Sequence, residues 1–312
     1  MIESRSPQRP DDLVVSVPEA DAAAVTAAAS AARSAQRDWA SSAAARSAAL
    51  TAVAEAVATA AEELTALVVR EVGKPLAEAK GEVARSVSIL RYYAQQVFDP
   101  VGQLHAPSGS GMLYTTQRPR GVAGLITPWN FPLAIPLWKA APALAFGNAV
   151  LLKPAPEATA CALRLAEILD AQLPAGLLSV LPGDVETGRG VIEEADVVSF
   201  TGSVAAGRAV AASATARGIP VQAEMGGQNP AVVLPDADVQ RAAAQIASAA
   251  MGFAGQKCTA TKRVIVVGAP APVREALIEA IRALPVGDPA AADTVVGPVI
   301  DSAARDRVVQ AA

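Results

Sequence analysis

Histidine is nearly missing from this chain: of 312 residues only His105 is one, and it stands in a polar stretch. Cysteine is almost as scarce. Cys161 and Cys258 are far apart, which excludes a disulfide framework and a thiolate zinc site. Strong charge of either sign is lacking too. The formal net charge is −4, so a nucleic-acid surface or an anionic membrane is not a favoured partner. Charged residues make up 18% and apolar ones 52%, a balance that argues against disorder. No charged-then-apolar signal segment opens the sequence. The one long apolar stretch, 121–152, is interrupted by Pro128, Asn130, Pro132, Pro136, Lys139 and Pro142, which suits a spanning helix poorly. A cytoplasmic protein with one large core or two domains is expected.

What is present falls into two regions. Residues 1–12 are polar and proline-containing and read as a loop. From Glu19 to about Phe98 the chain is rich in Ala, Glu and Arg at helical spacing, as in Leu64, Leu67, Val68 and Glu71. Gly73-Lys74-Pro75 punctuates it. Residues 99–111 read as a loop and "MLYTTQRPRG" as an extended segment. From 121 onward the pattern changes. Strand-like runs "GVAGLI", "AVLLK" (149–153), "LLSVL" (177–181), "DVVSF" (196–200), "PVQAEM" (220–225), "AVVL" (231–234) and 263–267 are interleaved with helical segments at 157–171, 185–194, 203–217, 236–253 and 271–283. This alternation predicts an α/β fold: a doubly wound parallel sheet built from βαβ units.

Ligands of such sheets bind beyond the carboxyl ends of the strands. Four polar sites fall there: Asn130 in "TPWNFP", Lys153 in "LLKPAP", Thr201-Gly202-Ser203 in "FTGSVAAG", and Glu224 in "AEMGGQNP". Gly202 and Ser203 open a helix, where free amides and the dipole favour a phosphate, although serine is also a common plain cap. Lys153 suits a phosphate or a ribose hydroxyl, or else snorkels at the surface. Asn130, stiffened by Pro128 and Pro132, can offer its amide to an oxyanion or bond its own turn. Glu224 precedes Gly226-Gly227, which permit close backbone approach. Apolar strands around it would raise its pKa toward that of a general base, and an ion pair to arginine is the alternative. Cys161 sits on an apolar helical face and reads as core. Cys258 follows a glycine turn and Lys257, where amides and a cation favour a thiolate.

The ordered set "TPWNFP", "LLKPAP", "FTGSVAAG", "EMGGQNP" and "GQKC" resembles the NAD(P)-dependent aldehyde dehydrogenase superfamily along nearly the whole chain. The phrases "RYYAQQ" and "GQKCTATKRVIV" look most like its semialdehyde branch, including 2,5-dioxopentanoate dehydrogenases. The resemblance implies an α/β fold with residues 1–98 as a helical part of the cofactor domain, 99–118 as a bridging segment, 119–228 as the Rossmann-like core and 229–312 as the start of a catalytic domain. It implies Cys258 as nucleophile, Asn130 as oxyanion donor and Glu224 as the base for deacylation. Thr127, Pro128, Trp129, Lys153, Glu157, Gly202, Ser203 and Gly226 would bind NAD or NADP. No metal is implied, and the partner is a small aldehyde.

Two departures matter. The family often has a carboxylate three residues after the lysine, which binds the ribose 2′-hydroxyl and disfavours NADP. Here Pro156 holds that place and Glu157 follows, so the choice of coenzyme stays open. Family chains also usually continue well past the segment "VVGPVIDSAARDRV". A C-terminally truncated chain is therefore expected, with part of the catalytic domain and the assembly strand of a homo-oligomer beyond it, and with apolar surface exposed. A CoA-acylating relative is disfavoured by Glu224, and a protease-like cysteine enzyme by the lack of histidine. A non-catalytic nucleotide-binding chain is the reading from another class. Arg120 and Arg263 read as structural salt-bridge partners before carboxylate anchors.

Overall fold

The computed structural model describes residues 1–311. Its centre is a five-stranded parallel sheet in the order β7-β6-β5-β8-β9. The strands are β5 (Val122–Ile126), β6 (Ala149–Lys153), β7 (Leu178–Val180), β8 (Val197–Gly202) and β9 (Val221–Met225). Every residue of β5 and β6 is buried, which is why these two read as unbroken apolar runs. Helices α5 (Ala134–Ala145) and α6 (Thr159–Asp170) lie on one face. Behind them pack α2 (Ala43–Thr59), α3 (Ala61–Val72) and α4 (Leu76–Gln96). The other face carries α1 (Ala22–Ser41), α7 (Val185–Glu194) and α8 (Val204–Ala216). Gly124 on β5 lets α7 approach closely: a Cβ there would lie 2.9 Å from Ala195 Cβ and from Val191 Cγ1.

A second, two-stranded parallel sheet joins β10 (Asn229–Val233) to β11 (Thr261–Val266), with α9 (Val239–Met251) and α10 (Pro270–Arg282) packed beside it. Val232, Leu234, Ile265 and Val267 are exposed there. A last helix, α11 (Ser302–Ala311), buries none of its own residues. No helix among the described residues is long and apolar enough to cross a membrane.

Two readings of the sequence change, and one stretch with no assigned element acquires a helix. Residues 1–12 are not all loop, because β1 (Ile2–Arg5) pairs antiparallel with β2 (Leu13–Val17). What holds β1 is tertiary: Ile2 and Ser4 are buried, and the Ser4 hydroxyl donates to Glu71 Oε1 at 2.6 Å. The 99–111 loop contains β3 (Leu104–His105), paired with β4 (Leu113–Tyr114). The proline-interrupted stretch holds a helix, α5. Pro136 falls in its first turn, where no helical acceptor is needed, and Pro142 sits inside it.

Candidate active site

The order of the sheet reverses between β5 and β8, and a cavity of about 1210 Å³ opens at the carboxyl ends of the strands there. Of the eleven residues singled out in the sequence, ten line it: Thr127, Pro128, Trp129, Asn130, Lys153, Gly202, Ser203, Glu224, Gly226 and Cys258. Glu157 does not. It stands half-buried in a short 3-10 turn (Pro156–Ala158), while Pro156 itself faces the cavity. Burial pushes the Glu157 carboxyl above the usual range.

Lys153 is not a surface lysine. It is 6% exposed, and its Nζ donates to the carbonyls of Pro154 (2.6 Å) and Gly183 (2.8 Å). Burial lowers its pKa, opposed by the carboxylates of Asp184, Glu157 and Glu19. Ser203 does cap α8, accepting from the Ala206 amide at 3.2 Å, and the start of this helix, Ser203, Ala205 and Ala206, lines the cavity. Asn130 does not bond its own turn. Its Nδ2 donates across to the Gln256 carbonyl at 2.9 Å, which commits one of two N–H groups. Asn130 Oδ1 and Thr127 Oγ1 are buried without a hydrogen-bond partner among the described residues, and both residues line the cavity.

Cys258 is exposed and Cys161 buried. Cys161 is core, its amide bonded to Glu71 Oε2 at 2.7 Å, and burial raises its thiol well above the ordinary value. The turn that delivers Cys258 has an unusual backbone. Phe253, Ala254 and Gly255 all have positive φ (53°, 53° and 69°), three residues in left-handed conformation in succession. Beyond it, Asn229 Nδ2 donates to the carbonyls of Cys258 (2.6 Å) and Ala260 (3.1 Å).

Four expectations are corrected. The Lys257 ammonium is not committed to the thiol, because it is paired with Glu78 at 2.7 Å. Glu224 is exposed at the end of β9, so the apolar enclosure expected of it is absent, and it forms no ion pair with arginine among the described residues. Gly226 has nothing within 4 Å of a notional Cβ, so its value lies in an open approach to the cavity and not in close packing. Arg120 and Arg263 are both exposed, outside the cavity lining, and in no salt bridge among the described residues. His105 is exposed on β3 and also outside the lining.

Sequence reasoning passed over Gln256, Asn229 and Lys139. Gln256 braces the turn with its side chain, bonding the Pro298 carbonyl (3.1 Å) and the Ile300 amide (2.9 Å). Lys139 is buried on α5, with Nζ donating to Ser199 Oγ on β8 at 2.6 Å. Its position as a lone cation in an apolar stretch was the one available signal.

A doubly wound parallel sheet with a large cleft at its switch point, a capped helix start and an exposed thiol on a left-handed turn defines the class: an α/β protein with a ligand cleft at the carboxyl ends of its strands. The chain belongs to the aldehyde dehydrogenase family, whose model matches residues 1–312. It is 44% identical over 245 residues to an alpha-ketoglutaric semialdehyde dehydrogenase of Bacillus subtilis, covering 76% of this chain and 50% of that protein. Among solved structures it is similar to an NAD-dependent benzaldehyde dehydrogenase from Corynebacterium glutamicum (TM-score 0.92, 33% identity, 99% of this chain and 69% of that one). It is also similar to an NADP-dependent enzyme of E. coli (TM-score 0.94, 33% identity, 99% of this chain and 66% of that one). The chain spans about half the length of the curated relatives it matches.

Proposed function

We propose that the chain carries the cofactor site and the nucleophile of an NAD(P)-dependent aldehyde dehydrogenase acting on a semialdehyde. The observation that carries this reading is the bond from Asn130 to Gln256, which ties an amide donor to the turn bearing the exposed thiol at one end of a cleft large enough for a dinucleotide. Family membership and the named semialdehyde relative support the substrate class. In this reading residues 119–228 form the nucleotide core, and 229–312 begin the catalytic domain.

The α8 N-terminus, with Gly202 and Ser203, suits a pyrophosphate. Lys153 suits the adenosine ribose, and Thr127 Oγ1 offers a donor and acceptor with no hydrogen-bond partner among the described residues. Cys258, as thiolate, adds to the aldehyde carbon. The carbonyl π pair moves to oxygen, where the Cys258 amide and Asn130 Nδ2 donate. NAD(P)+ held by the cleft residues named above would supply the two-electron oxidant, as acceptor for the hydride from this carbon. Cys258 then holds the acyl group as a thioester. Glu224 removes a proton from water, whose oxygen adds to the acyl carbon. The carbon–sulfur bond breaks and its pair returns to Sγ. The balance is aldehyde, NAD(P)+ and water giving carboxylate, NAD(P)H and two protons.

The test is NAD(P)H formation by the purified chain from a short semialdehyde. We expect turnover that falls by at least ~10⁴-fold in Cys258→Ala while cofactor binding persists. In Glu224→Gln we expect one acylation event and stalled turnover. Turnover indifferent to Cys258 would sink the nucleophile assignment. Cofactor binding by a folded chain that never turns over would favour the non-catalytic nucleotide-binding reading.

A further inference from the structure

Asn130 and Cys258 come from distant parts of the chain, and their segments are joined by the bond from Asn130 Nδ2 to the Gln256 carbonyl and by the edge-to-face contact of Trp129 with Phe253. Behind that bond lies a buried charge that plays no part in the chemistry above. Lys74 is fully buried and pairs with Glu82, itself buried. The Lys74 ammonium sits 3.7 Å from the centre of the Phe131 ring and 5.1 Å from that of Phe253. Phe131 is the residue after Asn130. Phe253 opens the left-handed turn that leads to Cys258. One cation thus holds an aromatic face from each half of the site.

Glu82 completes the arrangement. Its second oxygen accepts the Leu133 and Ala134 amides at 2.9 and 3.0 Å, which anchors the other end of the Asn130 loop at the start of α5. One turn earlier on α4, Glu78 pairs with Lys257, the neighbour of Cys258. The first turns of α4 therefore grip both halves. A buried ion pair is seldom the most stable filling for a core. Left-handed phenylalanine and alanine persist only where their surroundings over-determine them. Both observations fit a device for placement better than one for stability.

We propose that Lys74 and Glu82 are positioning residues that hold the Asn130 amide in register with Cys258, and so set how well the oxyanion of the thiol adduct is stabilised. This rests on the assignment of Cys258 and Asn130 made above.

The test uses the whole chain and needs neither cofactor nor turnover. Cys258 is the exposed one of the two cysteines, so its alkylation by iodoacetamide can be followed directly. Propanal protects the thiol by forming an adduct whose oxygen needs the Asn130 amide, whereas displacement of iodide builds no oxyanion. Asn130→Ala should raise the propanal concentration needed for protection by about tenfold or more. Lys74→Met/Glu82→Gln, which removes both charges together, should do the same by about fivefold or more. Its alkylation rate without propanal should stay within about twofold of wild type. Combining it with Asn130→Ala should add little to Asn130→Ala alone, since both act on one contact. Wild-type protection in the charge-free variant, or a loss that adds fully to that of Asn130→Ala, overturns the proposal. Undiminished protection in Asn130→Ala overturns the oxyanion assignment, and the proposal with it. Should the charge-free variant fail to fold, Phe131→Leu, which removes only the ring beneath the cation, is judged by the same two readouts.

Discussion

Lys139 carries a charge into apolar surroundings between α5 and β8, and burial pushes its pKa down to about 8, opposed in part by the nearby Glu224 carboxylate. Its ammonium keeps two acceptors, Ser199 Oγ and the Phe200 carbonyl, but not the hydration it has in the unfolded chain. The sign follows from proton counting. Above pH about 8 the folded chain has released this proton while the unfolded chain still holds it, so stability rises with pH toward the ordinary lysine range. Between about pH 7.5 and about pH 9.5 the gain is about 2 kcal/mol. Lys139→Met removes that slope. Urea midpoints of the two proteins at both pH values check this, and parallel pH dependence in both would show that Lys139 is not the source. At this scale the sequence was informative about what a residue is and poor about what it touches. Asn130, Lys153 and Glu224 could be picked out because each is polar at or just past the end of an apolar run, and Cys258 because it follows a glycine turn beside a lysine. Lys74 and Glu82 could not. Their pairing is local in sequence, but Phe131 and Phe253 reach them only through the fold. Lys257 misled for the same reason, since Glu78 lies on a distant helix.

Elements were legible where one rule governed them. β6 and α7 have the bounds the pattern predicts, because β6 is buried on both sides and α7 has a plain amphipathic repeat. α5 was hidden because it is nearly apolar throughout and contains two prolines, so neither periodicity nor propensity marks it. β1 was hidden because four residues with one apolar side chain carry no alternation to read. The contact between β5 and α7 depends on a single missing side chain, and it gives a prediction of its own. Gly124→Ala places a methyl 2.9 Å from Ala195 Cβ, a group with no rotamer to escape into. The variant should lose about 1–3 kcal/mol by urea denaturation. Since α7 contributes Gly188 and Arg189 to the cavity wall, weaker cofactor binding should accompany the loss. An unchanged midpoint would mean that α7 can retreat from the sheet at no cost.

For the whole molecule, the cavity matters because its lining joins parts that otherwise meet little. The strand ends, the cysteine turn and α11, through Arg307 and Val308, all contribute to it. A ligand that binds only the folded chain stabilises all of them at once, by about 2.7 kcal/mol at a hundred times its dissociation constant. For a chain of this size that is a rise of about 4 °C in the thermal midpoint. Cys258→Ala should show the full rise, because the thiol is not needed to bind the dinucleotide, and Lys153→Met should lose most of it. The choice of coenzyme can be argued from the same wall. Pro156 faces the cavity where a carboxylate would repel a 2′-phosphate, and Glu157 is turned out of the lining, with burial acting against its charge. Among the described residues the carboxylate that lines the cavity beside Lys153 is Asp184, and the ammonium of that lysine offsets it. We therefore expect NAD+ and NADP+ to raise the midpoint at concentrations within about tenfold of each other. A rise with NAD+ alone would mean that Glu157 swings in to meet the ribose, and Glu157→Gln would then admit NADP+.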